Sequence, residues 1–444
     1  MAITASGRLT ADEIVDLSRR YTVFSWSAQG RVNPIPIERA EGVYFWDPDG
    51  KRYLDFNSQL MSVNIGHGDR RVIDAIAEQT RTLAFAAPQF ATEPRARLGA
   101  ELATITPGNL DKFFLTLGGA EANENAVRMA RIYTGRQKVM ARHRSYHGAT
   151  AGAISLTGDP RRWANEPGVP GVIRVLDPWR LDRHEPEPVE ESLRYLDEVI
   201  TYEGPQTIAA FILETVVGTN GILIPPDGYL QGVRELCDRY GIVMICDEIM
   251  AGFGRTGRWF AIDHWDVVPD LMTMAKGLTS SYLPLGAVAM TPEFAAYWDD
   301  KVYYGGLTYS SHPVACAAAL ATIEVYREDD LIGNAERMGR VMAQLHAELK
   351  ERHPSVGAVR NIGLFGIIEL VRNRETMERM SAFNTTSPQM TALEQRLRLD
   401  GLYTMTHWDG LFTNPPLCIT EEQLREGFAM IDAALEVTDA AVSG

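Results

Sequence analysis

The middle of the chain alternates short apolar runs with longer stretches of helical periodicity, and this alternation limits the possible folds more than any other feature. Strands that alternate with helices predict a parallel sheet covered by helices, so the predicted fold class is α/β. The helix 120–135 is closed by Gly135, and the helix 227–241 begins at Asp227 and is closed by Gly241. The predicted strands are 112–117, 137–142, 207–214, 241–248, 270–275 and 285–290.

The C-terminal part of the chain has a different pattern. A long amphipathic helix is predicted over 325–353, followed by a β-rich segment over 356–371. Thr420 and Gln423 have the spacing of a capping box at the start of a last helix. The acidic, proline-containing stretch 177–191 is predicted to be a surface loop. Because 444 residues exceed one ordinary domain, two domains are expected.

Charge and composition argue against several classes of function. The chain has 43 basic and 58 acidic residues and lacks a basic cluster, so a nucleic-acid partner is not expected. The N-terminal sequence has no apolar signal core, and His312 and Pro313 interrupt the uncharged run 305–323, so neither export nor membrane insertion is expected. A cytoplasmic location is predicted because the cysteines show no CxxC spacing; they are Cys237, Cys246, Cys316 and Cys418.

Lys276 lies in the apolar stretch 271–290, where a lysine is unusual. Burial there would lower the pKa of its amine, and the amine could then attack a carbonyl or bind an aldehyde. The alternative is a lysine that reaches solvent at the start of a loop. Asp247 ends the preceding predicted strand, so the two side chains can lie at the ends of neighbouring strands.

Other strand ends also carry chemical groups, and ligands of open α/β sheets bind beyond the carboxyl ends of the strands. Gly119 and Ala120 follow one strand and start a helix, so their N–H groups could bind a phosphate; a plain turn is the alternative. Asp247 could hold a protonated ring nitrogen, or it could cap a helix or form an ion pair. Tyr146 could stack on an aromatic cofactor or pack in the core. Together with a buried lysine, these groups describe pyridoxal phosphate (PLP) chemistry.

Several longer motifs are shared with a known family over nearly the whole chain. They are 43-VYFWDPDGKRYLDF-56, 63-VNIGHG-68, 118-GGAEANENAVRMAR-131, 145-SYHGAT-150, 246-CDEIMAGFGRTGRWF-260, 269-PDLMTMAKGL-278, 308-TYSSHPVACAAAL-320 and 415-PPLCIT-420. In these motifs the chain resembles the class III aminotransferases of PLP fold type I, and especially the ω-amine:pyruvate branch with its taurine–pyruvate relatives. The resemblance implies a large domain, 59–325, with a mostly parallel seven-stranded sheet, and a smaller α+β domain from both termini, 1–58 and 326–444.

The resemblance also implies roles for individual residues. Lys276 would bind the PLP aldehyde covalently and later move the substrate proton, while Asp247 would keep the pyridine nitrogen protonated. Backbone amides of Gly119 and Ala120 would hold the phosphate. The other cofactor residues that it implies are Tyr146 and Ile249 on the two ring faces, Glu214, which is followed by Thr215 instead of the family's usual proline, and Thr308, which would reach the phosphate in the partner subunit. The active sites would then be shared within a homodimer, and dimers could pair into tetramers.

The substrate pocket departs from the family pattern. Met405 stands where many amine:pyruvate members carry an arginine that binds a carboxylate, and Met61 replaces a frequent aromatic residue. Arg161 and Arg162 follow Tyr146 by a short loop and could supply the missing cation, or they could face solvent. Their loop resembles that of the taurine–pyruvate group, whose donor carries a sulfonate.

The expected reaction is therefore transfer of an amino group from an ω-amine or amino acid donor to pyruvate. Alternatives are taurine–pyruvate transamination specifically, a PLP mutase or decarboxylase on the same scaffold, and a PLP-binding regulatory protein. We expect 2-oxoglutarate to be a poor acceptor, because no second arginine is evident for its distal carboxylate. A nicotinamide site is not expected at 252-GFGRTG-257, because no helix pattern follows it, and no metal is expected, because the histidines lack ligand spacing.

Overall fold

The computed structural model describes residues 8–181 and 185–442 of the chain. In chain order, the strands are β1 (Arg39–Glu41), β2 (Tyr44–Trp46), β3 (Arg52–Asp55), β4 (Lys112–Thr116), β5 (Lys138–Arg142), β6 (Val172–Val175), β7 (Ile208–Glu214), β8 (Val243–Asp247), β9 (Leu271–Met274), β10 (Gly286–Met290), β11 (Val356–Ile362), β12 (Phe365–Asn373), β13 (Glu378–Arg379), β14 (Leu402–Tyr403), β15 (Thr406–His407) and β16 (Gly410–Thr413). The α-helices are α1 (Ala11–Tyr21), α2 (Ser58–Met61), α3 (Arg70–Thr82), α4 (Glu93–Leu102), α5 (Gly119–Thr134), α6 (Ala151–Leu156), α7 (Val189–Glu203), α8 (Tyr229–Tyr240), α9 (Pro292–Ala296), α10 (Pro313–Glu328), α11 (Leu331–Arg352), α12 (Pro388–Asp400) and α13 (Glu421–Asp439).

A seven-stranded sheet forms the centre of the fold, in the order β4-β10-β9-β8-β7-β5-β6. Strand β10 is antiparallel to both of its neighbours, and the other pairs are parallel. The predicted α/β class and the mostly parallel seven-stranded sheet are therefore confirmed. In register, Glu214 pairs with Asp247 and Asp247 pairs with Thr273. Polar residues of three adjacent strands therefore lie side by side at the carboxyl ends of these strands.

The sequence explains why these segments form the centre. Every residue of β7 and β8 is buried, as is typical of parallel strands that helices cover on both faces. Helix α5 ends where Gly135 adopts a left-handed conformation with φ 68°, which glycine tolerates without a steric cost.

The two ends of the chain form two smaller sheets. Strands β1, β2 and β3 are antiparallel, and the C-terminal strand β14 adds to β3 in parallel. The second sheet contains β11, β12, β16 and β15, with β13 paired to β12. The capping box at Thr420 and Gln423 is confirmed at the start of α13. The division at residues 58 and 325 remains a prediction, and α10 runs through the second of these positions.

The structure differs from the predicted elements at four places. The predicted helix 325–353 is divided between α10 and α11, because Asp330 is left-handed with φ 48°. Helix α8 begins two residues after Asp227, because Gly228 with φ 86° is its N-cap. Strand β6 was not predicted; it has only four residues at the edge of the sheet, and two of them are only partly buried.

The fourth difference concerns the predicted surface loop 177–191. Asp177 is buried, and its Oδ1 lies 3.4 Å from Nη1 of buried Arg142, so the loop begins inside the protein. Its predicted end is also wrong, because residues 189–191 belong to α7. Residues 182–184 lie outside the described part of the chain. In the ranges that the structure describes, no helix is both long and apolar enough to cross a membrane.

Candidate active site

Lys276 lies directly beyond β9, at the start of a short 3₁₀ turn over Lys276–Leu278. Its φ of 45° is left-handed, a conformation that costs free energy for a residue other than glycine. Burial lowers the pKa of its amine to about 8, although the carboxylates of Asp247 and Glu214 act in the opposite direction. The predicted amine with a lowered pKa is thus present beyond the carboxyl end of β9.

Asp247 ends β8, and both of its carboxylate oxygens accept hydrogen bonds. Oδ2 accepts from Nδ2 of Asn123 at 2.8 Å and lies 2.8 Å from Nδ1 of His147, while Oδ1 accepts from the backbone N–H of Ile249 at 3.0 Å. Asn123 is oriented by the hydroxyl of Thr273, which donates to its Oδ1 at 2.7 Å. The carboxylate is therefore buried and held in one orientation by residues from four segments of the chain.

Glu214 ends β7 beside Asp247 and binds two backbone amides. Its Oε1 accepts from the N–H of Tyr146 at 2.9 Å, and its Oε2 accepts from the N–H of Gly218 at 2.9 Å. Burial raises the pKa of Glu214 and outweighs these hydrogen bonds. Glu214 thus fixes the backbone that carries Tyr146.

The turn between β4 and α5 brings a helix N-terminus to the same region. The N-terminal turn of α5 contains Gly119 and Ala120. A Cβ atom on Gly119 would lie 2.7 Å from Cδ1 of Ile249, so a larger residue at 119 would overlap the isoleucine. Glu121 turns back to accept a hydrogen bond from the N–H of Leu117 at 2.9 Å. Its carboxylate is therefore held by the backbone that precedes α5, and the N-cap residue Gly118 forms no side-chain cap.

Tyr146 carries the guanidinium of Arg161 on its ring, with 3.8 Å between Cζ and the ring centroid. Arg161 also donates from Nε to Oδ2 of Asp159 at 2.9 Å and from Nη2 to the hydroxyl of Thr219 at 2.7 Å. Asp159 is buried and also accepts a hydrogen bond from Nδ2 of Asn220 at 3.1 Å. Arg161 is thus held at Tyr146, and its charge contributes to the lowered pKa of Lys276.

The remaining predicted substrate and cofactor residues are the second arginine, a threonine and two methionines. Arg162 pairs with Glu166 one helical turn later, so the two neighbouring arginines point to different partners. Thr308 is exposed on the single chain. Met61 is buried in the main apolar core, and Met405 is partly buried against it. Their predicted roles remain predictions.

Sequence reasoning missed the residues that hold Asp247. His147 directly follows Tyr146, and Asn123 lies one helical turn after Gly119, so both positions were adjacent to predicted site residues. Thr273 was not identifiable, because its contact depends on the pairing of β8 with β9. Asp159 was also missed, although it immediately precedes Pro160 and the arginine pair.

The segment 252–257 is followed by a 3₁₀ turn over Ala261–His264 and not by an α-helix. Its arginine, Arg255, is fully buried and donates to Ser58, Asn64 and two backbone carbonyls. Within the described residues, no group of three or more histidine, cysteine or acidic side chains could hold a metal ion.

Comparisons with known proteins agree with one another. A family model described as aminotransferase class-III matches residues 26–435. The putrescine–pyruvate aminotransferase of Pseudomonas aeruginosa is 35% identical over 422 residues, which cover 91% of this chain and 91% of that protein. The taurine–pyruvate aminotransferase of Bilophila wadsworthia is 32% identical, with 96% of this chain and 98% of that protein covered.

A similar solved structure is that of the taurine:2-oxoglutarate aminotransferase of Bifidobacterium kashiwanohense, in complex with PLP and glutamate. It matches with a TM-score of 0.95 and 41% identity over 99% of this chain and 100% of that one. The residues at the carboxyl ends of β7, β8 and β9 fit PLP chemically. A largely buried amine, a buried carboxylate and the open start of a helix are the kinds of group that an aldehyde, a ring nitrogen and a phosphate would need.

Proposed function

Because the chain belongs to the class III aminotransferases, which are PLP-dependent transaminases, we propose that it transfers an amino group from a donor with an anionic end, an ω-amino acid or taurine, to pyruvate. The contact of Arg161 with Tyr146 supports this donor class most directly, since it adds a cation to the group that contains Lys276. The expected reaction needs a keto acid as a second substrate. A PLP mutase or decarboxylase would not, so omission of the keto acid distinguishes them.

Each residue of the site has a defined task in this proposal. When bound, PLP supplies an aldehyde that takes up the amino group and a protonated ring that withdraws electrons from the substrate. Lys276 would hold the aldehyde between cycles and would move the substrate proton. Asp247 would accept a hydrogen bond from the ring nitrogen, and the amides of Gly119 and Ala120 would bind the phosphate. Ile249 and Tyr146 would pack on the ring, and the backbone of Tyr146 is held by Glu214.

Arg161 is the residue to which we assign the anionic end of the substrate. Its described hydrogen bonds use Nε and Nη2, so Nη1 is the atom that we assign to a carboxylate or sulfonate. Asp159 and the tyrosine ring hold the guanidinium in place, which reduces the entropy lost when the substrate binds. Arg161 would thus take the place of the arginine that many family members carry at the position of Met405.

We expect Arg161→Ala to lower kcat/KM for taurine and β-alanine by about ten- to a hundredfold, because a hydrogen bond to a charged group contributes about 1.5–3 kcal/mol. Uncharged amines should be affected much less in their own half-reaction. Arg162→Ala is the matched control, since Arg162 pairs with Glu166. Initial rates with single donors measure this, and equal losses for charged and neutral donors would show that Arg161 has a structural role.

The keto acid acceptor requires a separate test. We propose pyruvate as the acceptor. The second candidate is 2-oxoglutarate, because the similar Bifidobacterium enzyme is a taurine:2-oxoglutarate aminotransferase. A panel of acceptors with one saturating donor measures the preference. Efficient use of 2-oxoglutarate would mean that a further cation binds its distal carboxylate.

We also propose that the protein acts as a homodimer with shared active sites. The segment around the exposed Thr308 presents apolar side chains to solvent, with Val302 67% and Tyr304 84% exposed. A surface of this kind is typical of an interface. Dilution to the monomer should therefore release PLP and abolish activity. Sedimentation combined with activity measurements tests this, and a fully active monomer would refute it.

A cytoplasmic location is part of the proposal. All four cysteines are free thiols, and three of them are buried. Free thiols are usual in proteins of reducing compartments. Fractionation of cells that express the protein tests the location directly.

A further inference from the structure

The backbone after Lys276 is held by a tyrosine from a distant helix. The hydroxyl of Tyr326, in α10, donates a hydrogen bond to the carbonyl of Gly277 at 2.8 Å. Within the turn, the N–H of Leu278 donates to Ala275 and the N–H of Thr279 donates to Lys276. The hydroxyl thus binds the turn from outside, at the residue next to the left-handed lysine.

Two further side chains close the space around Gly277. A Cβ atom on this glycine would lie 2.5 Å from Nδ2 of Asn64 and 2.6 Å from Cβ of Phe253. Asn64 is itself fixed, because its Nδ2 donates to the carbonyl of Phe253 at 2.9 Å and its Oδ1 accepts from Nη2 of Arg255 at 2.9 Å. The turn is therefore closely packed on this side and has little room to shift.

Tyr326 is well suited to hold the turn. It is 1% exposed and packs against the rings of Phe253 and Trp259. Burial raises the pKa of its hydroxyl far above the usual value, so the hydroxyl remains a hydrogen-bond donor at all working pH values.

We propose that Tyr326 is a positioning residue for Lys276, because its hydroxyl holds the carbonyl of Gly277 and so keeps the lysine in its left-handed conformation. This inference rests on the proposed catalytic role of Lys276. Without the hydroxyl, the turn can relax toward an unstrained φ. The amine of Lys276 then moves away from the carboxyl end of β8, where Asp247 lies. A displacement of about 1 Å at a reacting group can cost as much as about a hundredfold in rate.

The test compares Tyr326→Phe with Tyr240→Phe in the purified holoenzyme. Tyr240 is the matched control, because its hydroxyl donates to Asp197 at 2.8 Å. It is the last residue of α8 and leads into the amino end of β8, away from Lys276. We expect Tyr326→Phe to lower kcat about tenfold while KM for donor and acceptor changes less than about twofold. Amide hydrogen exchange in the peptide 275–279 should become at least about fivefold faster, since the turn loses its outside restraint. Tyr240→Phe should change neither quantity.

The outcomes separate this inference from the proposed function. An active Lys276→Ala protein would remove the premise itself. An inactive Lys276→Ala protein, together with a Tyr326→Phe protein whose kcat and peptide exchange match the wild type, would overturn the inference alone. If Tyr326→Phe does not fold, Gly277→Ala tests the same contact from the other side. It should also lower kcat with little change in KM, and a wild-type kcat in that variant would overturn the inference.

Discussion

The Lys276→Ala protein is expected to lose transamination by at least about a thousandfold, since proton transfer by a positioned side chain contributes about 10²–10⁴ in rate. The lysine also provides the covalent attachment for PLP, so the loss should lie near the upper end of this range. Steady-state rates with excess PLP measure the effect. Borohydride reduction of the wild-type protein should fix PLP on the peptide that contains Lys276.

Lys276→Arg is the matched control for the charge of this side chain. An arginine stays protonated at all working pH values, so it cannot supply a free amine and should be as inactive as alanine. The pKa of the lysine is lowered to about 8, so the amine is mostly protonated below that pH and mostly free above it. Covalent labelling of Lys276 in protein stripped of PLP should therefore rise as the pH passes through about 8. A labelling midpoint near 10 would show that the amine is solvated.

Asp247→Asn is expected to raise the activation free energy by roughly 3 kcal/mol or more, which lowers turnover at least about a hundredfold. The substitution removes the negative charge that would stabilise a protonated ring nitrogen. It also places an amide NH₂ among groups that donate hydrogen bonds to the carboxylate, namely Asn123 and the N–H of Ile249. Rates of the single half-reaction with a saturating donor isolate the chemical step.

Glu248→Gln provides the control for this carboxylate. Glu248 is the next residue and is equally buried, and it accepts hydrogen bonds from the N–H groups of Ala261 and Ile262. Burial raises its pKa to about 7, so an uncharged side chain at this position resembles a form that the protein already populates. Turnover of Glu248→Gln should stay within about threefold of the wild type. If Asp247→Asn retains near-normal turnover, Asp247 is not the partner of the ring nitrogen.

The local patterns that were reliable are the ones set by burial along the chain. The strands β7 and β8 are continuous apolar runs, and each ends at a carboxylate, so the order of residue types is enough to place Glu214 and Asp247 at strand ends. Strand β6 has four residues and a mixed burial pattern, so its sequence carries too little signal. The division of the helix at 325–353 was missed, because the left-handed Asp330 leaves the amphipathic pattern on both sides intact.

The sequence by itself determined the α/β class, the family, the lysine at the end of a strand and the carboxylate that ends the neighbouring strand. These depend on residue type and local order, which the chain displays directly. Only the tertiary structure decided that Arg161 contacts Tyr146 while Arg162 pairs with Glu166, because the directions of adjacent side chains depend on the path of the loop. It also brought Tyr326 to Gly277, 49 residues away in sequence, and His147 to Asp247. Such contacts follow from the order of strands in the sheet and the packing of helices on it, which no local pattern encodes.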